Sequence, residues 1–212
     1  MATEQGKKEK SYTLCTWQPA SECQDCATAG SLKCRFNWGD QLHFLGMFLT
    51  FAIPAIIGML LGGFGWYLLG WLVFAIINFV FWEGRVLCSH CPYWAEDGGI
   101  LHCLANTYTP KVYKYRPEPM GRAEKVQIII IFTILVGYPF PFLILSEQFI
   151  FAGLAAWGAL MFFWTLQKHT CPRCVNFSCP LNRVPKALVD KYLEKNPVMK
   201  NAWERSGYKP GT

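Results

Sequence analysis

Residues 81–91 read Phe-Trp-Glu-Gly-Arg-Val-Leu-Cys-Ser-His-Cys, and residues 163–174 read Phe-Trp-Thr-Leu-Gln-Lys-His-Thr-Cys-Pro-Arg-Cys. In both, a Phe-Trp pair closes a long apolar run, and a Cys-x-x-Cys comes six or seven residues after the Trp. The first run has no charged residue between His43 and Trp82; the second, from Val126 to Gln167, has only Glu147. About 20 apolar residues cross the hydrocarbon layer as a helix, so each run is long enough to cross twice. Each also has a natural break, at Gly62-Gly63-Phe64-Gly65 and at Ser146-Glu147-Gln148, short Gly-rich or polar turns of the kind that end helices. The expected fold is an all-α integral membrane protein with four transmembrane helices near 43–61, 65–82, 126–145 and 149–167. They form two hairpins related as a parallel internal repeat.

Working outward from the two hairpins, the chain divides into five parts. Residues 1–40 form an N-terminal Cys-rich metal-binding segment, 41–82 the first hairpin and 83–125 a loop carrying a Cys-x-x-Cys. Residues 126–167 form the second hairpin, and 168–212 a second Cys-rich segment with a short helical tail. Charged residues make up 16% of the chain, well below the roughly 25% of a soluble domain. The first forty residues are polar and Lys-rich, with no apolar stretch ahead of a small-residue cleavage site, so the first transmembrane helix is expected to act as the targeting signal. All 20 Lys and Arg residues lie outside the four spans and on one side of them. An excess of Lys and Arg marks the cytoplasmic side, which places both termini and the central loop in the cytoplasm and the chain in the cell (inner) membrane.

The ten cysteines occupy that same side, where thiols are ordinarily reduced, and a Cys-rich pattern there points to metal or redox chemistry. They fall into three groups. Cys15, Cys23, Cys26 and Cys34 are symmetric about a central Cys-x-x-Cys; Cys88 and Cys91 are followed by Cys103; Cys171 and Cys174 are followed by Cys179. Two thiolates of a Cys-x-x-Cys grip one metal, and two further thiolates complete a Zn²⁺ tetrahedron or anchor an iron–sulfur cluster. If the hairpins pack side by side, Cys88, Cys91, Cys171 and Cys174 come together to ligate a shared centre. His90, His102 and His169 lie beside these cysteines and are further candidate ligands.

Iron–sulfur clusters and zinc both suit these donors. Cys91-Pro92 and Cys179-Pro180 match the Cys-Pro that closes bacterial ferredoxin motifs. In this respect the chain resembles membrane-integral polyferredoxins, which place Cys-Pro motifs at the cytoplasmic ends of helix hairpins; their cysteine runs are longer and repeated. Cys-ligated iron–sulfur centres on the cytoplasmic face would make the chain a membrane-bound electron-transfer subunit. Zinc would instead make a structural scaffold or assembly factor, and exposed thiolates would suit metal delivery. The expected partners are the lipid bilayer and a protein of a redox or membrane complex. No nucleophile–base arrangement, phosphate loop, dinucleotide fingerprint or nucleic-acid motif is present. No ionisable residue is expected at mid-membrane, with Glu83 at a helix end. Residues 106–119 should run extended. The tail should form two short helices, the second entered at Asn196-Pro197, where Asn can cap and Pro fits the first turn.

Overall fold

The computed structural model describes residues 14–17, 23–96 and 98–211; Lys7, Lys8 and Lys10 of the basic N-terminus lie outside them. Four helices are long and apolar enough to cross a membrane: α1 (Trp38–Leu61), α2 (Gly65–His90), α3 (Arg122–Leu145) and α4 (Phe149–Arg173). Their most apolar stretches have mean hydropathies of 2.3, 1.7, 2.5 and 1.8, which makes this a multi-pass membrane protein. Two shorter helices come after them, α5 (Lys186–Glu194) and α6 (Pro197–Arg205). The described residues contain no strand, only isolated bridges pairing Lys33 with Cys174 and Ile100 with Pro110.

Local chemistry sets the boundaries of the spans. The Asn37 side chain accepts the Gly39 N–H at 2.6 Å and caps α1. Gly63, at φ +79°, lets the chain reverse into α2, a conformation only glycine adopts without cost. The Glu124 carboxylate accepts the Gly121 N–H at 2.8 Å and caps α3. Pro139 and Pro141 fall late in α3, where Tyr138 still donates to Ile134 O at 2.8 Å and carries the helix across the joint.

Within the bilayer-depth layer α1 and α4, from different halves of the chain, make the most extensive helix contact. Gly158 lies so close to Thr50 and Phe51 that a Cβ there would strike their backbone, the small-residue approach by which membrane helices associate. The Thr50 hydroxyl donates to Met47 O at 2.6 Å and reaches Gly158 O at 3.5 Å. Between α2 and α3, Trp71 Nε1 donates to Leu135 O at 2.9 Å and the Tyr138 hydroxyl to Tyr67 O at 3.1 Å. Phe51, Ala55, Met59, Leu143 and Ala155 fill the centre. Large apolar side chains cover the outside, with Trp66 85% and Ile150 78% exposed, as a lipid-facing surface requires.

At one end of this bundle sits a cap with its own core. Leu32 from the N-terminal segment, Tyr93, Trp94 and Leu101 from the central loop, and Val175, Tyr192 and Trp203 from the tail bury together with Cys88 and Cys91. The tail helices begin where expected, but Asn196 does not cap α6. Its side chain instead accepts the Cys15 N–H at 2.7 Å and donates to Tyr192 O at 2.6 Å, tying the two ends of the chain together. The two Phe-Trp segments share a further feature. Asn78–Trp82 and Leu166–Thr170 are both π-helical turns, and each leads into a 3₁₀ turn at its Cys-x-x-Cys, Cys88–His90 and Cys171–Arg173. Such one-residue insertions re-aim the rest of the helix and occur often at functional sites.

Candidate metal centres

The cap gathers the ten cysteines into two regions. The outer one is a half-open recess of about 610 Å³ lined by Cys15, Cys23, Cys26 and Cys34. The inner one lies where α2 and α4 end and combines the other two sequence groups. The Cys91 thiol is within electrostatic reach of Cys103, Cys174 and Cys179, and that of Cys88 is within reach of Cys103 and Cys179. All ten are free thiols. Among the described residues no three His, Cys, Asp or Glu side chains close into a ready-made coordination shell.

Whether thiolate-bound metal fits is decided by the groups that face the sulfurs. Five of them face a backbone N–H two residues onward: Cys26 to Thr28, Cys91 to Tyr93, Cys103 to Ala105, Cys174 to Asn176 and Cys179 to Leu181. Such a turn satisfies a thiolate and aims its remaining lone pairs outward, and hydrogen bonds of this kind tune sulfur-ligated metals. After Cys91 and Cys179 the intervening residue is Pro, which has no N–H to compete and presets φ near −65°.

The outer recess adds charged donors. Arg35 points Nε and a second guanidinium nitrogen at Cys23 Sγ, each at 3.3 Å. Lys195 Nζ stands 3.4 Å from Cys26 Sγ, and Asn196 Nδ2 stands 3.3 Å from Cys15 Sγ. Four thiolates around a divalent ion carry a net charge of −2, which Arg35 and Lys195 offset. Cys15 and Cys34 share a hydrogen bond that holds Cys15 down at about 6 and pushes Cys34 up. Hydrogen bonding to Thr28 also lowers Cys26.

The inner region is drier. Cys88, Cys91 and Cys171 are buried, and Cys103, Cys174 and Cys179 are half-buried. Burial pushes Cys91, Cys103 and Cys174 up, and Cys179 up to about 11. Polar side chains hold the frame: Asn176 donates to Leu87 O at 3.1 Å, Ser178 to Asn176 Oδ1 at 3.2 Å, and Asn182 to Cys174 O at 2.8 Å. The 166–183 turn is braced by a Gln167–Arg183 hydrogen bond.

One residue joins the two regions. Lys33, next to Cys34, donates its backbone N–H to Arg173 O at 2.7 Å, one residue before Cys174. Its own carbonyl accepts the Tyr93 hydroxyl at 2.8 Å, two residues after Cys91.

The histidines have other neighbours. His90 Nδ1 lies 2.6 Å from Glu118 O, and its Nε2 lies 3.4 Å from the Glu124 carboxylate, which Arg116 also holds at 2.6 Å. His102 Nδ1 lies 3.2 Å from Glu96 Oε2. His169 packs edge-on against His43, ring centroids 6.3 Å apart. Three residues placed near the cysteines or in the span escape reading from sequence. Arg35 and Lys195 count there only toward topology, and Glu83 is placed at a helix end, whereas it lies inside the α2 span and is 6% exposed. Its signal was a lone carboxylate five residues before a Cys-x-x-Cys.

Comparison with known proteins finds no matching protein family, no matching curated protein and no matching solved structure.

Proposed function

We propose that the protein is a membrane-bound electron-transfer subunit carrying Cys-ligated iron–sulfur centres on the cytoplasmic face. Cys15, Cys23, Cys26 and Cys34 hold one centre. The other is held first by Cys88, Cys91, Cys171 and Cys174, with Cys103 and Cys179 completing or extending it. The observation that carries this reading is the gathering of Cys15, Cys23, Cys26 and Cys34 around one recess in which Arg35, Lys195 and Asn196 aim N–H donors at the sulfurs of Cys23, Cys26 and Cys15. Each inner Cys-x-x-Cys opens in a 3₁₀ turn and is preceded by a π-turn, directly at Cys171 and with Glu83–Val86 between at Cys88, which supports an internal repeat whose two hairpins meet at that centre. Iron–sulfur clusters, when bound, supply one-electron redox chemistry. The chain's own residues hold the sulfurs, exclude water from the inner centre and, through Lys33, fix the outer centre against it.

A buried inner centre and a half-open outer one, joined through one residue, suit passage of electrons between a soluble carrier and the membrane face. In this reading the outer recess faces the carrier, and the four helices hold the relay at the bilayer surface within a larger redox complex.

Anaerobic purification followed by visible and paramagnetic resonance spectra tests it. A brown protein with iron and acid-labile sulfide supports the relay. A colourless protein with stoichiometric zinc overturns it in favour of a zinc-stabilised scaffold or assembly factor. Metal lost rapidly to a weak chelator overturns it in favour of metal delivery.

A further inference from the structure

Between the two hairpins the chain folds back on itself as a narrow loop. The Lys111 N–H donates to Gly99 O at 2.8 Å, the Leu101 N–H to Thr109 O at 2.9 Å and the Tyr108 N–H to Leu101 O at 2.9 Å, around an antiparallel bridge of Ile100 with Pro110. Side chains along such paired arms point alternately to opposite faces. One face enters the cap, where Leu101 is 1% exposed and Thr109 is also buried. The other face stays outside, with Ile100 48% and Tyr108 63% exposed and Val112 exposed beyond them. Tyr108 takes φ +67°, a left-handed backbone that a bulky side chain rarely adopts, and its ring is held on that outer face.

Contacts with two of the spans set the level of this face. At the loop tip the Asn106 side chain donates to Phe79 O of α2 at 3.1 Å, and the Thr109 hydroxyl donates to Asn106 Oδ1. Phe79 lies in the π-turn of α2, which also carries the exposed Phe81 and Trp82. The Tyr108 ring lies 6.2 Å from that of Trp38, the first residue of α1. Trp38, Leu42, Leu45, Leu49 and Ile53 are all exposed and recur at helical spacing, so they form one lipid-facing stripe along α1. The outer face of the loop therefore prolongs that stripe past the start of the span. Trp and Tyr concentrate where hydrocarbon meets headgroups, because their rings are apolar while their N–H and O–H groups reach water.

We propose that the outer face of residues 99–112 is a membrane-docking surface, with Ile100, Tyr108 and Val112 inserted at the boundary of headgroups and acyl chains beside Trp38. The occupant is lipid, because the face is continuous with the lipid contact of α1 and is pinned to α2 within one turn of Trp82. An element lying in the interface in this way adds buried apolar area to the anchoring of the spans. It seats the cap on the bilayer and holds Cys103, which lies between the two arms of the loop, at a fixed height above the hydrocarbon. The inference depends on the four spans and not on what the cysteines bind.

The test uses the full chain in vesicles of phosphatidylcholine and phosphatidylglycerol, with the photoreactive amino acid p-benzoylphenylalanine in place of Ile100 or, in a second variant, of Tyr108. Ile150, a lipid-facing residue of α4, and Val198, an exposed apolar residue of α6, serve as references in the same way. After irradiation, mass spectrometry should find phospholipid adducts at Ile100 and Tyr108 in yields close to that at Ile150. Those yields should exceed that at Val198 about tenfold or more, since only a face within the interface meets acyl chains. Ile100 lies outside the left-handed turn, so its result stands even where replacing Tyr108 disturbs that turn. Lipid adducts at Ile100 no more abundant than at Val198 overturn the proposal. So does crosslinking of Ile100 to a second copy of the chain in place of lipid, which would make this face a self-association surface.

Discussion

The two cysteine regions share ligand type and N–H···S turns but differ in how their charge is handled. The outer four sulfurs sit in an open recess, with Arg35, Lys195 and Asn196 aimed at them. The inner six are more buried: Cys88 and Cys91 belong to the cap's core, and Cys171 belongs to a separate buried cluster with Phe162 and Leu166. Charge near a surface can be balanced by flexible side chains and solvent, whereas charge in a dry interior has to be balanced by groups built into the fold. The outer region is therefore electrostatically self-sufficient. Under the proposed thiolate reading, the inner one depends on its metal for that balance.

The largest effect that would sharpen this contrast is on folding. Cys91→Ser should remove the inner centre and unfold the cap, because Cys91 belongs to the same core as Tyr93, Trp94 and Tyr192 and thiolate-bound metal contributes about 10 kcal/mol to small sites. Cys23→Ser should lose only outer metal and leave the cap's cooperative transition in place. Metal analysis with thermal unfolding reads both. Equal loss in the two variants would break the contrast.

An intermediate effect is expected in thiol reactivity of metal-free protein. Cys15, held at about 6, is largely thiolate at pH 7, while Cys179, pushed up to about 11, is almost wholly thiol. After allowing for the lower nucleophilicity of the more acidic thiol, Cys15 should alkylate on the order of fiftyfold faster at pH 7. Its rate should climb as pH rises through 6 and then level off, whereas that of Cys179 should keep rising towards 11. Mass spectrometry of quenched time points tracks both sites, and comparable rates at pH 7 would remove the electrostatic distinction.

The smallest effect concerns the cations. Arg35→Gln combined with Lys195→Gln should lower outer metal affinity about tenfold, the scale of losing groups that support ligands, with inner metal content unchanged. Competition against a graded chelator measures it. A matching loss at the inner centre would show that the regions are not separately balanced.

Much of this architecture could be read directly from the residues. Forty-residue apolar runs, charged only at Glu147 and broken at Gly62-Gly63 and Ser146-Glu147-Gln148, can cross a bilayer only as paired helices, and the structure has all four. The spans run further than the apolar runs alone indicate, because α2 and α4 continue through π-turns to His90 and Arg173; hydropathy cannot report a helix that carries polar residues into a buried cap. The cysteine groups were visible as spacing, but their division into an outer four and an inner six was not, since it depends on where three distant segments meet. Asn196 shows the same limit: its type and position suit a helix cap, yet Cys15, 181 residues away in sequence, claims its side chain.

By itself the sequence determined the four apolar helices and the exclusion of Lys, Arg and Cys from their long apolar runs, because hydrophobic length and charge act locally. Tertiary structure alone decided which cysteines come together, that Lys33 hydrogen-bonds across the two regions, and that Glu83 is buried. Those outcomes depend on packing between segments far apart in the chain, and no local property of a residue encodes the neighbour that burial will bring to it.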